Sequence, residues 1–248
     1  MSDFDRGLTR QGAAAADTTF DMGLRSFMLG VFNKMALGLV LSAALAYVTG
    51  NVPAVRDLMW RTDVTGRSGY TALGMIISFA PLAIILFLNF ARNQSPRMAG
   101  VLYWSIVSLI GASLGVVFLR FQDASVFQTF LVTAAAFGGL AMVGYTTKRN
   151  LSGMGAFLWM GLIGLIVAML ASLFFRSPAL MFAINVIGVL IFAGFTAYDT
   201  QRLKMTYYQL GGDQAAMSVA TNYGALSLYL DFINLFQFLL SLFFGGRR

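Results

Sequence analysis

The chain has 248 residues, 58% of them hydrophobic and only 11% charged, with a net charge of +7. A soluble domain carries roughly 25% charged residues to cover its surface, so this composition excludes one and calls for a bilayer as solvent. The sequence has no Cys and no His, which excludes disulfides, thiol nucleophiles, the usual zinc sites and a Ser-His-Asp triad.

Residues 1–25 mix acids and bases (Asp3, Asp5, Arg6, Arg10, Asp17, Asp21, Arg25). They lack the basic-then-apolar order of a cleavable signal peptide and read as a mobile, polar, solvent-exposed tail. Residues 26–248 then form one membrane domain. A spanning helix needs about 20 mostly apolar residues, and seven runs qualify: Phe27–Thr49, Thr71–Ala91, Ala99–Leu119, Ala124–Thr146, Ser152–Phe175, Ala179–Leu203 and Tyr223–Phe244. The expected fold is an all-α polytopic bundle of seven transmembrane helices. The connections are short except Gly50–Tyr70 and Lys204–Asn222, which are polar and Gly-containing and are expected to lie on the membrane surface.

The basic residues are scattered through the connections, as topology-setting charges beside anionic lipid are. Nucleic acid is therefore not an expected partner. The short segments Arg92–Met98 and Thr147–Leu151 are densest in positive charge, which places them and the N-terminus on the cytoplasmic side. Seven spans then put the C-terminus outside. Within the spans, Gly111 and Gly115 form a GxxxG pair, and Gly138-Gly139 sits in the fourth run. Small residues of this kind let helix backbones approach closely in lipid.

Ionisable groups inside a bilayer are costly and mark function by default. Lys34 lies in the first run, Arg92 ends the second, Asp199 is near the end of the sixth and Asp231 is about eight residues into the seventh. In the N-inside topology all four arrive on the inner side, where a cation and two carboxylates can meet in one polar pocket. Lys34 also suits simple snorkelling to the interface. Tyr198 precedes Asp199 in Thr196-Ala197-Tyr198-Asp199-Thr200-Gln201, and Asn234 follows Asp231 by one turn on the same face. Two carboxylates close together in a low dielectric do not both ionise cheaply and titrate as a pair.

The stretch Ala197-Tyr198-Asp199-Thr200-Gln201-Arg202-Leu203-Lys204 resembles the Bax inhibitor (transmembrane BAX inhibitor motif) family. So does Ala225-Leu226-Ser227-Leu228-Tyr229-Leu230-Asp231-Phe232-Ile233-Asn234-Leu235-Phe236, and so does Thr147-Lys148-Arg149-Asn150-Leu151-Ser152. Asn33, Met35, Gly38 and Leu39 fit the family's first helix, and the resemblance runs from about residue 26 to 248. It implies a seven-helix bundle with the last helix central and a pH-sensitive calcium leak gated by a proton-sharing pair, here Asp199 and Asp231. It also implies an Arg at the end of the second helix that pairs with the dyad, here Arg92. One departure is Asn150, where the family often carries Asp.

The expected function is a passive, proton-regulated calcium conduit in a bacterial-type inner membrane. Protons and calcium are its ligands, and Tyr198, Asn234 and Lys34 stand beside the path. It is not expected to be an enzyme or to hold a cofactor. Calcium is a permeant ion, met transiently by the hard oxygens of Asp199 and Asp231. Intramembrane aspartyl proteases also use two membrane aspartates, but their second Asp follows Gly-x-Gly, whereas Leu228-Tyr229-Leu230 precedes Asp231. The alternative is a non-conducting adaptor. The resemblance supplies its partner as a membrane-bound quality-control protease, and eukaryotic relatives act as cell-death suppressors.

Overall fold

A computed structural model describes residues 3–62, 68–88, 95–175 and 177–245. In chain order the elements are α1 (Asp3–Asn51), α2 (Pro53–Met59), β1 (Trp60–Thr62), β2 (Ser68–Tyr70), α3 (Ala72–Leu88), α4 (Pro96–Ser113), α5 (Val116–Arg120), α6 (Asp123–Thr146), α7 (Ser152–Ser172), α8 (Pro178–Leu210) and α9 (Gln214–Phe244). The protein is an all-α membrane bundle. Six helical stretches among the described residues are long and apolar enough to cross a bilayer: Met22–Asn51, Pro96–Arg120, α6, α7, α8 and α9. The second expected run corresponds to α3, a shorter apolar helix of 17 residues that runs through Pro81.

Two connections differ from their sequence reading. The expected loop Lys204–Asn222 is mostly helix, since α8 continues to Leu210 and α9 starts at Gln214. Polar residues at the ends of long apolar helices project beyond the hydrocarbon without ending the helix. The break comes where the backbone demands it: Gly211 and Gly212 take φ of 57° and 91°, the left-handed region that Gly occupies at little cost. Asp213 then caps α9 by accepting from the amides of Ala215 (2.9 Å) and Ala216 (3.1 Å). The segment Gly50–Tyr70 holds α2 and a small antiparallel pair in which Trp60 faces Tyr70. The long polar loop hid these elements from a pattern tuned to membrane spans.

The last helix is the core of the bundle. Over half (56%) of the apolar window of α9 is buried, against no more than 33% for any other span. It packs on α1, α4, α6 and α8. Two clusters of contacts fix the directions of its neighbours. Gly38 meets Tyr103, Ser42 meets Val107, and Gly50 meets Gly115, a constant offset of 65 residues that makes α1 and α4 parallel. The chain therefore returns through α3 to begin α4 at the end where α1 began. By contrast Leu203 meets Gly224, Asp199 meets Ser227, and Gly188 meets Phe238, so α8 and α9 run antiparallel.

The GxxxG pair performs the expected packing. A Cβ at Gly111 would lie 2.6 Å from the Ser42 Cα, and one at Gly115 would lie 2.9 Å from the Gly50 nitrogen. This approach brings the Thr49 hydroxyl within 2.9 Å of the Ala112 carbonyl, as near as the Leu45 carbonyl of its own helix, so its one proton is shared between the two. Gly138 and Gly139 correct the sequence reading: a Cβ at either would meet nothing within 4 Å. They lie on the outer face of α6, whose buried stripe is instead Val126, Thr129, Thr133, Phe137, Ala141 and Gly144.

A hydroxyl pair ties three parallel helices together. Ser42 donates to the Val107 carbonyl (3.0 Å), which uses its only hydroxyl proton, so the Tyr229 hydroxyl donates to Ser42 at 2.7 Å. Tyr229 is fully buried. Tyr229→Phe is expected to lower stability by about 0.5–1.5 kcal/mol, the usual net worth of one such bond, without changing the fold. Denaturant unfolding of the purified protein in detergent checks this, and an unchanged midpoint would count against the hydroxyl link.

Candidate functional site

The two aspartates lie on the facing sides of α8 and α9, inside the bundle, and are only 4% and 5% exposed. The α8 face is set by spacing: Thr196, Asp199, Thr200 and Leu203 recur at helical period, and all four are buried. Thr196 and Thr200 donate to the carbonyls of Phe192 (2.8 Å) and Thr196 (2.7 Å), one turn back on their own helix. Their protons are thereby spent locally, while their oxygens remain acceptors. On α9, Ser227 and Asp231 stand one turn apart on the face toward α8.

The Asp199 carboxylate accepts a hydrogen bond from the Ser227 hydroxyl across the helix pair. Its Oδ1 lies 3.4 Å from the Arg202 guanidinium, one turn along α8. That distance makes an ion pair, but the geometry does not make a hydrogen bond, so Asp199 Oδ1 remains without one. Arg202 also reaches the Ser227 hydroxyl at 3.4 Å. The Arg202 side chain is 47% exposed, so its pairing with Asp199 is screened by solvent and worth about 0–1 kcal/mol. Asp231 Oδ2 is buried and has no hydrogen-bond partner. The charges of Asp199 and Arg202 both act on Asp231. The site is thus two buried carboxylates and one half-exposed cation, with an unsatisfied oxygen on each carboxylate. Ionisable side chains buried inside a membrane bundle are costly and mark functional candidates by default.

The segment around Asp199 is held from the other side. Gln201 accepts from the Leu151 amide (2.8 Å) and donates to the Arg149 carbonyl (2.7 Å). Lys204 donates to the Tyr145 carbonyl at 3.1 Å, near the C-terminal end of α6. Two sequence motifs far apart in the chain, 147–152 and 197–204, are therefore one structural unit. Gly144 completes it, since a Cβ there would lie 2.9 Å from the backbone carbon of Ala197.

The remaining sequence-derived candidates are distributed around this site. Tyr198 is half-buried and turned toward α7, where its ring lies against Gly155, with the Arg202 guanidinium 5.8 Å from the ring centre. Asn234 is half-buried and donates to the Leu230 carbonyl of its own helix at 2.8 Å. Lys34 stands between α1 and α4: its ammonium is 5.4 Å from the Tyr103 ring centre, and its carbonyl accepts from the Tyr103 hydroxyl at 2.7 Å. Arg92 lies outside the described residues. Sequence reasoning missed Ser227, and it treated Arg202 only as a topology charge. Both were accessible as helix neighbours, Ser227 four before Asp231 and Arg202 three after Asp199. Among the described residues no cluster of three or more acidic side chains exists. A calcium ion takes 6–8 oxygens, so at this dyad it would draw most of them from hydroxyls, carbonyls and water.

The sequence matches a family described as inhibitor of apoptosis-promoting Bax1 over residues 24–248. A protein of Caulobacter vibrioides is 64% identical over 250 residues, covering the whole of both chains. A protein of Rickettsia prowazekii is 40% identical over the same length, again covering both chains in full. The inner membrane protein YbhL of Escherichia coli is 40% identical over 228 residues, which is 91% of this chain and 94% of the relative.

Proposed function

Because this chain belongs to the Bax inhibitor-1 family of integral membrane proteins, we propose that it is a proton-regulated cation conduit, with calcium as the permeant ion and Asp199 and Asp231 as its gate. The observation that carries this reading is the pair of buried carboxylates on adjoining faces of α8 and α9, each with an oxygen lacking a hydrogen-bond partner. The membrane proposed is a bacterial-type inner membrane, as for the Escherichia coli relative, with the N-terminus cytoplasmic.

The physics of the gate follows from coupling. With one proton on the pair, the two aspartates attract through it and hold α8 to α9. With none, two like charges in a low dielectric repel, and among the described residues Arg202 is the cation that offsets them. The pair, not either residue alone, thus converts proton binding into a change of force between two helices. Carboxylate oxygens are also the hard ligands that a partly dehydrated calcium ion prefers. The reading involves no covalent chemistry. Purified protein in phospholipid vesicles loaded with a calcium-sensitive dye tests it. Calcium entry is expected above that of protein-free vesicles, at a rate that changes with pH. Entry equal to that of empty vesicles at every pH would sink the conduit and leave a non-conducting adaptor as the better account.

A further inference from the structure

Beyond the dyad, the outer part of the bundle contains a partly open apolar pocket of about 70 Å³, too narrow for a bulky ligand but open along one side. Its back wall is α9, through Phe232, Ile233 and Phe236, and its sides are α1 and α6. Both α1 and α6 pack on α9, whereas neither packs extensively on the other. The gap between them, closed at one end by Val117 and Phe118 of α5, is a side window. Ala43 on α1 both lines the cavity and is exposed, and Phe130 on α6 is half-buried at the opposite edge.

The depth of this window is consistent on four elements. Counted from the midpoint of each span at 1.5 Å per residue, the lining residues of α1, α5, α6 and α9 all lie about 4–15 Å to one side of the bilayer centre. The hydrocarbon of one leaflet is about 15 Å deep. The window therefore opens into acyl chains of a single leaflet, the one reached by the C-terminal end of α1. Water is a poor occupant. Ser42 is the only polar side chain among the lining residues, and its hydroxyl is already engaged by the Val107 carbonyl and Tyr229. A buried water needs two to four polar partners.

We propose that this window is a lipid site, which takes one acyl chain of a bilayer phospholipid and seats it against Phe232, Ile233 and Phe236. The occupant lies on the stretch of α9 that begins one residue beyond Asp231. The proposal does not depend on conduction, so its failure and that of the calcium reading are separable.

Phosphatidylethanolamine–phosphatidylglycerol vesicles containing a phosphatidylcholine with a mid-chain diazirine test the site. After irradiation, peptide mapping is expected to find label on residues 232–236, which are largely buried in the bundle and out of reach of surrounding lipid. Ala43→Trp fills the mouth from α1, and Val126→Trp fills it from α6. Each should abolish the α9 label while leaving label on the lipid-facing residues Phe157, Met160 and Ile163 of α7, which reports an intact, embedded fold. An unlabelled α9 in the native protein would overturn the proposal. So would α9 label that survives both substitutions, or label displaced by free fatty acid in place of phospholipid.

Discussion

Replacing Asp231 by Asn is expected to flatten the pH dependence of calcium entry in vesicles while leaving the protein folded. The substitution keeps the shape of the side chain and removes its titration. Asp231 is 5% exposed, it carries an unpartnered oxygen, and it lies within the electrostatic reach of Asp199. A gate set by one proton changes by at most about tenfold per pH unit, the factor that corresponds to 1.36 kcal/mol. In the variant that slope should approach zero across the range where the native protein responds. The amide also ends the repulsion between two carboxylates, so α8 and α9 should hold together at least as tightly as before. The variant is therefore expected to be at least as stable to denaturant as the native chain in alkaline solution. A native-like pH profile in Asp231→Asn would remove the dyad from the gate.

Gly144→Leu is expected to destabilise the protein by about 1–3 kcal/mol or more, the usual range for forcing volume into a packed interface. The cause is the identity of what it meets. A Cβ at Gly144 runs into the carbonyl, carbonyl carbon and Cα of Ala197, which are backbone and cannot rotate away. The only relief is for α6 and α8 to separate, and that carries Asp199, two residues on, away from its place opposite Ser227. The same substitution at Gly138 supplies the contrast. There a side chain meets nothing within 4 Å, and exchanging Gly for Leu in a helix gains up to ~1 kcal/mol in propensity. One helix and one type of substitution should thus give opposite signs. Unfolding of both variants in detergent, with the pH response of the Gly144 variant as a second readout, decides it. Equal midpoints would show that the close approach does not bear on stability.

These two glycines also show which parts of the fold can be read from sequence. The spans were legible because hydrocarbon tolerates only long apolar helices, so run length and composition suffice to find them. Asp199 and Asp231 stood out as candidates because a charge within such a run is costly unless it is paired or put to use. Which small residues mediate packing was not legible from composition. Gly138-Gly139 looks at least as persuasive as Gly144, yet only the direction of each Cα–Cβ bond relative to α8 decides between them. The partners of the aspartates were hidden for a related reason. Ser227 and Arg202 are ordinary residues of a helix and of a charged helix end. They gain meaning only when the antiparallel register of α8 and α9 sets residue 199 against residue 227. The turn at Gly211-Gly212 and the cap at Asp213 were readable as helix punctuation, but the expected loop around them obscured it.

The joint action of the two aspartates is tested most directly by a mutant cycle of pH-dependent calcium entry in vesicles. It compares the native protein with Asp199→Asn, Asp231→Asn and the double variant. Residues that act as one unit are grossly non-additive, whereas independent sites add. If the dyad is the gate, either single change alone abolishes the pH response, and the double variant is no flatter than each single one. If each single variant kept part of the slope and the double lost the sum of the two, the aspartates would be independent titrating groups, and a shared-proton gate would be contradicted.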